Sequence, residues 1–195
     1  MAIAHLPRSW VLPTLERETS ALHADAEADL FRILDDPTTA AYGRFLTRVF
    51  HFEAEAESQL LRVEGLPCEL VAARLKTNRL AADLLALEPA CYVRTILARP
   101  LELPPLRDPR DALGWLYVLE RNTLRHLDLF RALAPRLRAT LQIASRYLTT
   151  HSRDVYQRWH ELGACLDRYA YDEHELTRIV DAATDAFDRQ HRWYC

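Results

Sequence analysis

The chain is short of several things that common folds and enzymes need. It has four glycines, one methionine and, among 25 basic residues, a single lysine, Lys76. Scarce glycine removes the tight positive-φ turns on which dense β-hairpins depend. It also leaves no Walker loop and no dinucleotide-binding glycine pattern, and GxSxG, HExxH and EF-hand signatures are missing as well. The four cysteines, Cys68, Cys91, Cys165 and Cys195, form no CxxC pair. They read as small apolar residues or incidental thiols rather than a structural zinc site. No window approaches the ~20 apolar residues that span a bilayer, and MAIAHLPRSW has no basic region leading into an apolar run. The expectation is a cytoplasmic protein without a membrane partner. Charge of one sign is also lacking: 25 basic and 28 acidic residues leave a net charge of −3. No field strong enough to attract a nucleic acid follows from that balance.

What is present is helix-forming sequence. Hydrophobic residues make up 49% of 195, and a chain of this length buries roughly 70% of its unfolded surface, enough for one core. Runs of Ala, Leu, Arg and Glu with few turn residues predict an all-α, single-domain bundle over 1–195, with residues 1–12 as a flexible arm. Leu15, Thr19, Leu22, Ala26, Leu30 and Ile33 follow helical spacing and predict one long first helix, stopped at Asp36-Pro37. Thr38 or Thr39 caps a second helix through Tyr42, Phe45, Leu46, Val49, Phe50, Phe52 and Leu60 to Gly65. Pro67 opens a third with a Leu70, Ala73, Leu80, Leu84, Leu87 stripe, and a short one follows from Pro89 to about Ala98. RPLELPPLRDP is the main interior connection. Helices are then expected from Arg110 to about Leu133, from Pro135 to about Thr150, from 152 to about 170 and from 173 to about 192. The total is seven or eight.

His–carboxylate pairs stand one turn apart at His23/Glu27 and His51/Glu55. An imidazole at the edge of an apolar stripe is either a satisfied structural group or a ligand that a carboxylate orients. Trp115 and Tyr117 read as core aromatics or as part of a ligand wall. Arg189, His191 and Arg192 read as a solvated group. The run DEHE at 172–175 reads as a helix start stabilised by its dipole, without metal.

The stretch LERETSALHADAE, residues 15–27, resembles the N-terminal signature of heme oxygenases: a Thr, the heme-ligating His four residues on, and a Glu four after that. Thr19, His23 and Glu27 match those places. The likeness continues in GRFLTRVFHFEAEAE, in GWLYVLERNTL, which is similar to the family's distal helix, and in Trp159 and DAATDAFDRQHRWY, which resemble the last helices of the bacterial phytochrome-associated branch. The resemblance implies heme clamped between a helix bearing His23 and a kinked distal helix, and cleavage to biliverdin, carbon monoxide and iron with O₂ and an electron donor. In a heme-binding version, Arg189, His191 and Arg192 on the last helix are the alternative contacts for propionates.

Two departures bear on that activity. The family carries a GSxLGG-type distal sequence that lets bare backbone approach the macrocycle. Here those six places hold Arg121, Asn122, Thr123, Leu124, Arg125 and His126. At Glu16, seven residues before His23, the family has a basic residue for a propionate, although Arg17 is adjacent. A guanidinium reaches ~6 Å beyond its Cα, and burying it unpaired costs several kcal/mol, so the usual pocket cannot persist unchanged. Three readings follow. The cavity is filled and the scaffold binds a protein or another small ligand, with Arg121 and Arg125 paired to Glu120, Asp128 or water; or His126 meets the iron opposite His23 in a six-coordinate sensor or carrier; or an altered pocket still makes biliverdin. Heme or a bilin is the ligand where the pocket is open, and no cofactor is bound where it is closed. A different helical chemistry, two iron atoms held by Glu16 with His23 or by Glu53 and Glu57 near His51, lacks the paired Glu-x-x-His signature.

Overall fold

A computed structural model describes residues 9–88 and 101–195, and these are all-α, with no strand among them. The helices are α1 (Val11–Glu18), α2 (Ser20–Phe31), α3 (Thr39–Leu60), α4 (Cys68–Ala72), α5 (Thr77–Leu87), α6 (Pro109–Ile143), α7 (Val155–Tyr169) and α8 (Glu173–Tyr194). The short helix expected from Pro89 lies outside the described residues, as does Cys91.

α6 is the axis of the bundle. Asp108 caps it by accepting from the Arg110 N–H at 2.8 Å, and Pro109 fills the first turn, where its missing N–H costs nothing. From Ala112 to Glu120 every residue is buried. A helix covered on all sides belongs at the centre, and α2, α3, α5, α7 and α8 all pack on it. Two helices were expected between Arg110 and Thr150. Instead α6 continues through Pro135 and bends at Leu137 (φ −115°, ψ 29°), because a proline removes one ladder hydrogen bond and crowds the preceding turn without ending a well-packed helix.

Two glycines set how closely helices approach. A Cβ on Gly114 would stand 2.6 Å from the Ile179 carbonyl oxygen and 2.7 Å from the Ala183 nitrogen, so α6 and α8 touch backbone to backbone there. A Cβ on Gly163 would meet Leu12 at 2.6 Å and Ser9 at 2.7 Å, where α1 seats on α7. Ser9 Oγ donates to Asp167 Oδ1 at 2.7 Å, and Val11 and Leu12 are buried. The flexible arm expected to reach residue 12 is therefore docked from Ser9 onward.

The single first helix expected from residue 15 is two. They meet at Thr19, whose backbone leaves helical geometry (φ −101°, ψ 11°) while its hydroxyl donates back to the Leu15 carbonyl at 2.7 Å. A side chain bonding one turn back competes with the ladder and bends a helix. The third helix is likewise split. Residues 73–76 interrupt it so that the Arg74 and Lys76 side chains can be buried. α3 follows expectation, with Thr38 Oγ1 accepting from the Ala41 N–H at 3.1 Å, and Gly65 (φ +81°) turns the chain after it.

Candidate functional site

The predicted residues Thr19, His23, Glu27, Tyr117, Arg121 and Arg125 come together where α2 crosses α6 under α8. The break at Thr19 turns the start of α2 so that His23 faces α6. His23 Nε2 shares one hydrogen bond with Thr19 Oγ1 at 2.8 Å and another with the Tyr117 hydroxyl at 3.1 Å. Since the Thr19 proton goes to the Leu15 carbonyl, Nε2 carries hydrogen, and that one N–H is shared between the Thr19 and Tyr117 oxygens. Tyr117 is fully buried among rings from two further helices, with Trp159 at 5.4 Å and Phe187 at 6.3 Å between centroids. Phe187 also stands 5.3 Å from the His23 ring.

Burial holds the His23 pKa down at about 4, helped by Arg121 and opposed by Glu27. The imidazole is therefore neutral at pH 7. Burial raises the Tyr117 phenol to about 12, so it keeps its proton. Glu27 does not orient His23. Its Oε1 accepts from Arg125 Nη2 at 2.5 Å, tying α2 to α6. Arg125 also pairs with Asp128 at 3.0 Å and lies over the Phe31 ring, 5.7 Å from its centroid. Both terminal nitrogens are thus paired, while its buried Nε has no acceptor. Arg121 lines the same gap and, among the described residues, has no carboxylate within ion-pair distance. The gap bounded by His23, Glu27, Arg121, Asn122, Arg125 and Phe187 has a volume of about 10 Å³. That is room for one water, whereas small-molecule and cofactor pockets measure roughly 300–1,000 Å³. Heme does not fit these residues as they stand.

Arg121 and Arg125 line the slot together with Phe187, and the Tyr117 hydroxyl holds His23 from behind. Tyr117 reads in the sequence as a core aromatic or part of a ligand wall, whereas Phe187 carries no signal beyond ordinary core sequence.

His126 is placed apart from this group. It is buried on another face of α6, its ring 4.3 Å from the Tyr147 ring, and neither nitrogen makes a well-formed hydrogen bond. Burial and the nearby Lys76 charge hold it neutral. It borders a buried polar seam that sequence reasoning missed. Lys76 Nζ stands 3.5 Å from Glu53, 3.9 Å from Glu120 and 3.1 Å from Thr123 Oγ1. Arg74 pairs with Glu120 at 3.3 Å. Tyr147 donates to Glu53 at 2.6 Å. Glu57 accepts from the Lys76 N–H at 2.6 Å and the Thr77 hydroxyl at 2.6 Å, capping α5. Three buried carboxyls thus gather about two buried cations, and the half-exposed Glu161 adds a fourth carboxylate 3.5 Å from Arg74. Burial raises the Glu53 pKa to about 7 despite the neighbouring Lys76 charge. The signal was present: Glu53 and Glu57 lie one turn apart in an aromatic-rich helix, and the chain's single lysine sits at a helix break.

Neither di-iron arrangement gathers. His51 packs on Phe50 and Trp193, away from Glu53 and Glu57, and Glu16 and His23 have no third ligand near them among the described residues. The cluster at 189–192 is not simply solvated. His191 Nδ1 bonds Asp29 Oδ2 at 2.7 Å. At the start of α8 Asp172 accepts from the Glu175 N–H at 2.9 Å, as the DEHE reading expects.

Compared with models of known protein families and with curated proteins, the chain matches none. Among the described residues no helix is long and apolar enough to cross a membrane.

Proposed function

We propose that this chain is a non-catalytic heme oxygenase-like protein that binds a protein partner or a small ligand other than intact heme, through the polar rim of a closed site. The observation that carries the reading is the filled contact between His23 and α6. A nitrogen 3.1 Å from a phenol oxygen has neither an iron atom nor a macrocycle plane between them. The rim left at the surface consists of Glu27, Arg121 and Arg125, in which Arg121 has donors to spare. An active site that makes biliverdin would require Tyr117 and Phe187, both packed in the core, to withdraw together. The six-coordinate reading draws no support from His126, which faces the Tyr147 side of α6.

Anaerobic titration with hemin, followed by ascorbate-driven turnover in air, tests this. The expected result is no His23-dependent Soret shift and no biliverdin absorbance. A 1:1 complex abolished by His23→Ala and converted to biliverdin would overturn it.

A further inference from the structure

At the far end of α2 from Thr19, the last turn of α8 closes over Asp29. The carboxylate is 1% exposed, and three different donor types meet there. His191 Nδ1 is 2.7 Å from Asp29 Oδ2, and Cys195 Sγ is 3.7 Å from Asp29 Oδ1 and 3.7 Å from His191 Nδ1. Among the described residues this is the one group of three metal-binding side chains close enough to share an ion.

We infer that Asp29, His191 and Cys195 form a binding site for a divalent transition ion of the zinc type, independent of the reading of the His23 site. The distances decide the class. Zinc bonds of about 2.3 Å to sulfur and about 2.0–2.1 Å to nitrogen or oxygen put tetrahedral edges from sulfur at about 3.6 Å. Sγ stands 3.7 Å from Asp29 Oδ1, 3.7 Å from His191 Nδ1 and 3.6 Å from His191 Nε2, so the lengths suit an ion once the exposed imidazole rotates to aim one nitrogen at it. The shorter Asp29–His191 edge is a hydrogen bond, whose proton the ion replaces. Thiolate, imidazole and carboxylate together suit a borderline ion better than calcium or magnesium, which prefer oxygen alone. Two of the three ligands are anionic when bound, and one tetrahedral position remains for water.

A cation is already drawn to this place. Arg32 Nη2 donates to Asp29 Oδ1 at 2.7 Å and to Cys195 Sγ at 3.5 Å, bridging two of the proposed ligands. Its side chain is 45% exposed and can swing into water when an ion displaces it. His191 and Cys195 are exposed, and Asp29 and Arg32 line an adjoining surface cleft of about 210 Å³, so an ion reaches the buried Asp29 carboxylate once Arg32 moves aside. Occupancy would pin the end of α8 to α2, six residues beyond His23.

The test is titration of the reduced, tag-free full chain with Co²⁺, read by absorption, then competition with Zn²⁺. A thiolate-to-cobalt charge-transfer band saturating at one ion per chain is expected. It should be lost in Cys195→Ser, and His191→Ala should weaken Zn²⁺ binding by at least 10-fold. Both positions are exposed, so these variants keep the fold. Arg32→Ala removes the competing cation and should tighten binding several-fold. No band at saturating Co²⁺, a band that survives in Cys195→Ser, or an unchanged affinity in Arg32→Ala would each overturn the site.

Discussion

His23 Nε2 lies 3.1 Å from the Tyr117 hydroxyl and 2.8 Å from Thr19 Oγ1, so one nitrogen of the histidine that matches the heme ligand of the resemblance is committed inside the protein. That commitment depends on the imidazole staying neutral. Its folded pKa of about 4 lies below the ordinary 6.5. A depressed histidine means that the unfolded chain binds the proton more readily. Stability from this group is complete above pH 6.5 and is lost as pH falls from there through 4. NMR titration should find the His23 ring resonances unshifted down to about pH 5, and midpoint urea concentrations should decline over the same range, less steeply in His23→Gln.

Since Phe187 lines the slot and Tyr117 holds His23 behind it, restoring glycine at the rim is not enough to open it. Arg121→Gly with Arg125→Gly should leave hemin affinity within about threefold of the parent chain while lowering stability by about 1–2 kcal/mol, through loss of helix propensity and of the Glu27 pair. A strong His23-dependent Soret complex in the double variant would make the arginines the plug.

The buried seam offers a sharper stability test. Lys76→Met removes the cation between Glu53 and Glu120 and leaves fully buried carboxyls facing one another. A loss of about 3–5 kcal/mol is expected in chemical denaturation. Adding Glu53→Gln should restore part of it, because the remaining groups can hydrogen-bond without charge. An additive double variant would mean that the two side chains are not coupled.

Gly114→Ala should destabilise by about 1–3 kcal/mol, since its Cβ would be driven into the α8 backbone, which cannot yield as a side chain can. Gly163→Ala meets only the Leu12 and Ser9 side chains and should cost less. Thermal unfolding of the two variants side by side checks the order.

The helical class, the capped start of α3 and the start of α8 were legible in the sequence, because caps and periodicity are local; that Thr19, His23 and Glu27 meet Tyr117, Arg121 and Arg125 was expected from the family resemblance alone. What those residues do to one another was not. Whether Glu27 orients His23 or grips Arg125 depends on which neighbour α6 presents. Whether His126 faces the imidazole or Tyr147 turns on about one residue of helical phase, which no pattern in a single helix fixes. Arg74 and Lys76 look like surface residues until burial beside Glu53 and Glu120 breaks the helix that their composition favours. The amino-acid order by itself therefore determined which segments coil and which faces are apolar. Only the tertiary structure decided that the slot is shut and that Asp29 meets His191 and Cys195. Those outcomes rest on side chains more than 60 positions apart, brought within bonding distance by the packing of α2 on α6 and α8.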